Sequence, residues 1–258
     1  MKLSKAQRHI HEQCEVILQK DILTYQEKEF IIENWNEGAN NNNAAAGAFF
    51  TPYDLAWDFT LETWDDTKII DLCAGIGALS FCAFHRHKNV QVTCIEMNAN
   101  YIEVGKKILP EANWIHASIF DLEKIGSGYD IAISNPPFGK INTGELPDAK
   151  YKGSEFEFKA MEVASRIAKN GVFLVPQGST PFIYSVNPDH KFNLGFCDLR
   201  MKSKAYNPYD KPVPRKVQKF IDETGLEFDF NLGIDTGVYL DQWKGVKPLC
   251  EVVTFDFN

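Results

Sequence analysis

Asn135-Pro136-Pro137-Phe138 follows an apolar run, Tyr129–Ser134, and combines residue types suited to holding a flat amine. Asn135 offers an acceptor in Oδ1, and the Pro136 main-chain carbonyl offers a second. Prolines fix φ and remove N–H donors, so the direction of that carbonyl is preset. Phe138 adds a ring face on which a base can stack. An aromatic amino group needs such help to act as a nucleophile. Its lone pair is delocalised into the ring, and acceptors that hold both hydrogens while the nitrogen becomes tetrahedral favour attack. The purely structural alternatives are an Asn-Pro turn and a core aromatic. They leave two consecutive prolines after an apolar strand unexplained.

A second constellation lies upstream. Asp71-Leu72-Cys73-Ala74-Gly75-Ile76-Gly77 closes a strand and opens a helix, and its glycines let the backbone approach a ligand where a Cβ would collide. The third glycine of a dinucleotide fingerprint is missing, and the next strand ends in Glu96, an acceptor suited to ribose hydroxyls. A nucleoside-bearing cofactor fits this pattern better than a pyrophosphate. Asp121, in Ala117-Ser118-Ile119-Phe120-Asp121, can accept from the amino group of a base or serve as a helix cap. Ahead of the glycines, Thr51 and Pro52 suit the cap and first turn of a helix. The pairs His9/His11 and His85/His87 are spaced i,i+2 without a carboxylate cluster, so no metal site is expected.

These residues need a scaffold that brings strand ends together. From Lys68 onward strands and helices alternate: Lys68–Leu72, a helix to about Arg86, Gln91–Glu96, a helix Asn98–Leu109, Asn113–Ala117, Tyr129–Ser134, a helix Phe156–Lys169 and Gly171–Pro176. The pattern is that of a doubly wound α/β fold with a mostly parallel sheet. After a helix from Pro212 to Glu223, the runs Leu226–Gly233 and Cys250–Phe257 bring the strands to seven and predict an antiparallel hairpin at the sheet edge. Residues 5 to 37 read as two helices. Ile10, Cys14, Ile17 and Leu18 share one face, and Thr24-x-x-Glu27 is a capping box for the second. The low-complexity stretch 40–46 then divides the chain into an N-terminal helical extension and linker, 1–46, and a catalytic-sized domain, 47–258.

At 258 residues and 44% hydrophobic, the chain can bury one sizeable core. Its longest apolar runs are strand-length and its N-terminus has no hydrophobic segment, which predicts a soluble cytoplasmic protein without membrane association. Cys14, Cys73, Cys82, Cys94, Cys197 and Cys250 form no C-x-x-C pair, so reduced thiols are expected. A net charge of −8 argues against nucleic-acid binding over the whole surface. Between Arg200 and Lys219, however, seven cations face the single acid Asp210, with Tyr206 and Tyr209 among them. That stretch is either a local phosphate footprint or a solvated face. Lys202, Lys204, Lys211 and Arg215 within it, and Lys150 and Lys152 in the loop after Phe138, are the candidate nucleic-acid contacts.

Asn-Pro-Pro-Phe after a fourth strand, with Asp-x-Cys-Ala-Gly-x-Gly after a first, resembles the class I S-adenosylmethionine-dependent amino-methyltransferases over roughly residues 47 to 177. The tetrapeptide occurs in DNA adenine methylases, some ribosomal RNA adenine methylases and protein-glutamine methylases. Phe49-Phe50-Thr51-Pro52 is similar to the Phe-x-Thr-Pro element of the γ arrangement of DNA adenine N6 methyltransferases. The resemblance implies S-adenosylmethionine as cofactor and direct transfer to adenine N6 of a base flipped out of DNA, with Asn135, Pro136, Pro137 and Phe138 at the reacting centre. By position it implies Phe50, Thr51 and Pro52 near the methionine end of the cofactor, with Asp71, Cys73, Ala74, Gly75 and Gly77 at its amine and backbone. Asn135 borders the cofactor, Glu96 meets the ribose, and Met97, Phe120 and Asp121 surround the cofactor adenine. DNA is the expected partner, RNA the alternative acceptor, and the N-terminal helices a docking surface for a protein. About 35 residues between the fifth strand and the next helix stand where many DNA methylases carry a large recognition domain. RNA adenine, protein-glutamine and cytosine N4 methylation, and a non-catalytic homologue, are the alternatives.

Overall fold

The computed structural model describes residues 4–36, 49–141, 144–186, 213–229 and 233–258. Six strands form one sheet: β1 (Lys68–Leu72), β2 (Gln91–Glu96), β3 (Asn113–His116), β4 (Tyr129–Ser134), β5 (Ala168–Pro176) and β6 (Cys250–Asp256). They lie in the order β3-β2-β1-β4-β5-β6, and only β6 runs antiparallel to its neighbour. The doubly wound, mostly parallel sheet predicted from the alternation is present, with six strands among the described residues in place of the seven expected. Leu226–Gly233 contributes a single bridge, Asp229 to Thr254 on β6, among the described residues. Phe228 helps to hold the described part of the run: its ring packs 4.7 Å from that of Phe255 and 5.9 Å from that of Phe220. Side-chain packing anchors this edge.

Strands covered on both faces must be apolar throughout, and Ile69, Ile70, Leu72, Ile131, Ala132 and Ile133 are fully buried. Ile69, Ile131 and Ile133 face one core cluster. It is shared with α3 (Tyr53–Phe59), α4 (Ala78–Arg86) and α5 (Ala99–Ile108). Ile70, Leu72 and Ala132 face the other, with α7 (Phe156–Ile167) and α8 (Arg215–Thr224); a short α6 (Leu122–Ile125) lies between β3 and β4. The helices α1 (Lys5–Leu18) and α2 (Tyr25–Asn34) each open on a complete capping box, Ser4 with Gln7 and Thr24 with Glu27. Ile31, Ile32 and Trp35 join the first cluster. The Trp35 ring lies 5.6 Å from that of Phe50 and 5.7 Å from that of Tyr101, which ties the N-terminal helices to the walls of the site. The expected linker after residue 36 lies outside the described residues.

The five described cysteines are free thiols, and no described helix is long and apolar enough to cross a membrane. The sheet order reverses between β1 and β4. Loops leaving adjacent strands at such a switch point diverge and open a crevice. The glycine turn leaves β1 there, and the Asn-Pro-Pro-Phe segment leaves β4.

Candidate active site

The turn after β1 depends on left-handed backbone. Cys73 has φ 67°, Gly75 57° and Gly77 89°, and a Cβ on Gly75 would stand 3.0 Å from Phe50 Cε1. Gly75 N–H donates to Glu96 Oε2 at 2.8 Å, while Glu96 Oε1 accepts the N–H groups of Met97 and Asn98, each at 2.8 Å. Burial pushes the Glu96 carboxyl up against the pull of these three amides. A carboxylate has about four acceptor positions, so one remains for a ligand.

Asp71 differs. It is 1% exposed; Oδ2 accepts from Ser80 Oγ at 2.7 Å, but Oδ1 is buried with no partner among the described residues. Burial, reinforced by the nearby Glu96, pushes its carboxyl up to about 7 even though Ser80 pulls it down. Asp71 lines a small cavity of about 30 Å³ with Thr51, Ala74 and Gly75. A buried oxygen with no partner is costly unless something supplies a donor.

Asn135 is held from one side. Its Nδ2 donates to the Phe49 carbonyl at 2.8 Å and to Thr51 Oγ1 at 3.0 Å. A main-chain carbonyl can only accept, so these bonds settle which way the amide faces. Oδ1 makes no hydrogen bond within the described residues. Thr51 therefore does not cap a helix. Pro52 occupies the cap position of α3, with φ −54° and ψ 144°, and sets Thr51 one residue too far out.

A cleft of about 580 Å³ opens beside the small cavity and shares Phe49, Phe50, Cys73, Gly75 and Asn135 with it as walls. Glu96, Met97 and Pro137 also line the cleft. Pro136 is buried, and Phe138 is half-buried against the first core cluster. Phe120 and Asp121 are not among the residues that line the cleft. Phe120 packs edge-on to Phe156 at 5.9 Å. Asp121 bends back onto its own turn, with Oδ2 taking Ser118 N–H at 3.4 Å and Lys124 Nζ at 3.5 Å. Tyr101, His116, Ile119 and Phe156 line the cleft although their sequence context did not single them out. His116 is the last residue of β3, so the rule that ligands sit at carboxyl ends of strands would have flagged it. Of the candidate nucleic-acid contacts, Lys150, Lys152 and Arg215 are exposed and line neither cavity; Lys202, Lys204 and Lys211 lie outside the described residues.

Residues 54–152 match the methyltransferase small domain family. Among solved structures the fold is similar to the modification subunit of a proposed type I restriction enzyme from Vibrio vulnificus YJ016. The two share 12% identity at a TM-score of 0.57, covering 92% of this chain and 51% of that one. It is also similar to a type I restriction-modification methyltransferase subunit from Streptococcus thermophilus, at 13% identity, TM-score 0.52 and coverage of 89% and 49%. A proposed RNA methyltransferase of Pyrococcus horikoshii aligns over 96% of this chain and 97% of its own, at 14% identity and TM-score 0.50. This chain thus spans about half the length of the two restriction subunits. No curated protein matches the sequence.

The match to the methyltransferase small domain and the likeness in fold make S-adenosylmethionine the methyl donor against which these residues are to be tested. The residues fit that donor. An empty buried carboxylate oxygen suits its ammonium group, and the cleft volume suits a nucleoside.

Proposed function

We propose that this chain methylates the exocyclic amino group of a nucleic-acid base, adenine N6 in DNA, at the expense of S-adenosylmethionine. The observation that carries the reading is the orientation of Asn135: two donor bonds consume its amide nitrogen and leave Oδ1 as an acceptor at the junction of the two cavities. When bound, S-adenosylmethionine supplies an electrophilic methyl group on a sulfonium. Asp71 Oδ1 would receive its ammonium, Glu96 a ribose hydroxyl, and Met97 with Ile119 the faces of its adenine. Asn135 Oδ1 would accept one hydrogen of the target amine and the Pro136 carbonyl the other, so that the nitrogen lone pair is freed for direct attack. Phe138 would stack on the flipped base. The ammonium formed is strongly acidic and loses its proton to solvent, which makes a general-base histidine unnecessary.

Support for DNA comes from the Phe49-Phe50-Thr51-Pro52 element, the one resembling γ-type DNA adenine methylases. Its Phe49 carbonyl and Thr51 hydroxyl are the groups that hold Asn135. Two of the fold neighbours are, by name, restriction-modification subunits. Lys150, Lys152, Lys202, Lys204, Lys211 and Arg215 would meet phosphates.

The test is transfer from tritiated S-adenosylmethionine to unmethylated duplex DNA, with RNA and protein offered in parallel and the nucleic acid digested to nucleosides. Label is expected in N6-methyladenine, and Asn135→Ala is expected to lower it at least about 100-fold, the usual cost of losing an acceptor or donor aimed at the reacting group. Label confined to RNA or protein moves the acceptor class. Cofactor binding without any labelled acceptor overturns the catalytic reading.

A further inference from the structure

The Asn-Pro-Pro-Phe segment is anchored at its start by β4 and by the bonds to Asn135, but an irregular segment also needs a hold at its far end. Gly139, the next residue, makes the turn. Its φ is +84°, and a Cβ there would meet nothing within 4 Å, so glycine serves the backbone angle and not a close approach. Two bonds then tie it to the start of α7: its carbonyl accepts Phe156 N–H at 2.8 Å, and its N–H donates to Glu157 Oε2 at 2.9 Å.

Glu157 is fully buried. Its second oxygen, Oε1, accepts from Ser179 Oγ at 2.6 Å, in the single helical turn Gln177–Ser179 that follows β5. Lys216 Nζ, near the start of α8, donates to the same hydroxyl at 2.7 Å and stands 3.7 Å from Glu157 Oε1. One carboxylate therefore joins the exit of the segment, the turn after β5 and α8, the helix on which the basic stretch ends. Burying a carboxylate is costly, and an apolar side chain would serve if packing were all that was needed. What an apolar side chain cannot do is take up the Gly139 N–H and the Ser179 hydroxyl together.

We propose that Glu157 is a positioning residue for the acceptor clamp. By fixing Gly139 it sets the path of Pro137 and Phe138 out of Asn135, and Ser179 with Lys216 holds Glu157 in turn. The inference rests on the reading of Asn135 to Phe138 as the amine clamp. Because Glu157 lines neither cavity, its removal acts on turnover and leaves donor binding alone.

Glu157→Ala, Glu157→Gln and Ser179→Ala are compared with the parent and with Asn135→Ala. Transfer is measured from tritiated S-adenosylmethionine to whichever of duplex DNA, RNA or protein the parent labels, and cofactor binding is measured by calorimetry. Glu157→Ala is expected to lower kcat about 100-fold while the cofactor Kd stays within about twofold, since a displacement on the order of 1 Å at a reacting group carries that cost. Glu157→Gln keeps an acceptor for Gly139 N–H and should restore most of the rate. Hydrogen exchange in peptides covering 135–141 should quicken in the alanine variant. A residue that only stabilises the fold would weaken binding and turnover together and gain nothing from glutamine. Unchanged turnover in Glu157→Ala beside an inactive Asn135→Ala overturns the inference and leaves the clamp standing. Full activity of Asn135→Ala, or the absence of any labelled acceptor, overturns the clamp and the inference with it. If Glu157→Ala does not fold, Ser179→Ala is the deciding variant: it leaves Oε1 without its hydroxyl donor and should lower kcat about fivefold, the value of one hydrogen bond, and unchanged turnover refutes the proposal.

Discussion

The two halves of the sheet bury their carboxylates differently. On the side of β4, β5 and β6, Glu157, Glu162 and Glu251 are each 3% exposed or less, and both oxygens of each are engaged. Glu162 accepts Lys150 N–H at 2.7 Å, Tyr151 N–H at 3.0 Å and Arg166 Nη2 at 2.9 Å. Glu251 accepts Gln177 Nε2 at 2.8 Å and Ser185 through both its N–H, at 2.9 Å, and its hydroxyl, at 2.9 Å. These side chains act as struts that hold irregular segments where no strand or helix pairs the backbone. On the side of β1 and β2, Asp71 is as deeply buried but has an oxygen with no partner. A satisfied buried carboxylate marks scaffold, and an incompletely satisfied one marks a place kept for a ligand. The distinction lies in the hydrogen-bond count, since burial is the same.

The comparison breaks most directly at Asp71. Asp71→Ala is expected to weaken S-adenosylmethionine binding roughly 30- to 100-fold, the loss of about 2 to 3 kcal/mol for a bond to a charged group, as read by calorimetry. Affinity unchanged within error would place Asp71 among the struts. The pH dependence sharpens the same point. With the folded carboxyl held at about 7 against an ordinary value of 3.8, the folded protein keeps a proton that the unfolded chain has lost. Stability from this group is complete below the unfolded value and is lost as pH rises through about 7. Donor affinity should move oppositely, rising through the same window, because a cationic ammonium prefers the ionised carboxylate. Thermal melting with and without S-adenosylmethionine between about pH 5 and pH 8 should show both trends in the parent and neither in Asp71→Asn. Identical curves for the two proteins would remove the titration.

A smaller effect is expected at the glycine turn. Gly75→Ala must place a Cβ in left-handed backbone and close to Phe50. It should cost about 1 to 2 kcal/mol in urea unfolding. An unchanged midpoint would mean that the Phe50 ring moves aside freely. The smallest change tests the other half. Thr51→Val removes one of the two acceptors that hold Asn135 and leaves Phe49. It should lower kcat roughly fivefold, the equivalent of about 1 kcal/mol, without altering donor affinity. A loss of donor affinity instead would assign Thr51 to the cofactor side.

By itself the sequence determined the α/β alternation, the capping box of Thr24 and Glu27, the glycine turn, Glu96 at the end of β2 and the Asn-Pro-Pro-Phe exit from β4. Each follows from interactions within a few residues or from the burial of a strand on both faces, so local spacing and residue type are sufficient. For Leu226–Gly233 the same local reading predicted a strand. Its alternation permits a strand, but pairing depends on the edge it meets; among the described residues Phe228 packs and the backbone makes one bridge. Only the tertiary structure decided that Asp121 bonds back to Ser118 and Lys124 while His116 and Tyr101 line the cleft, that Asn135 is oriented from Phe49 and Thr51, 86 and 84 positions away, and that Asp71, unlike Glu157, Glu162 and Glu251, keeps one oxygen without a partner. These are facts about which distant atoms converge. A residue's capacity to accept hydrogen bonds is written in its side chain, but whether that capacity is used up is settled only when the chain has folded around it.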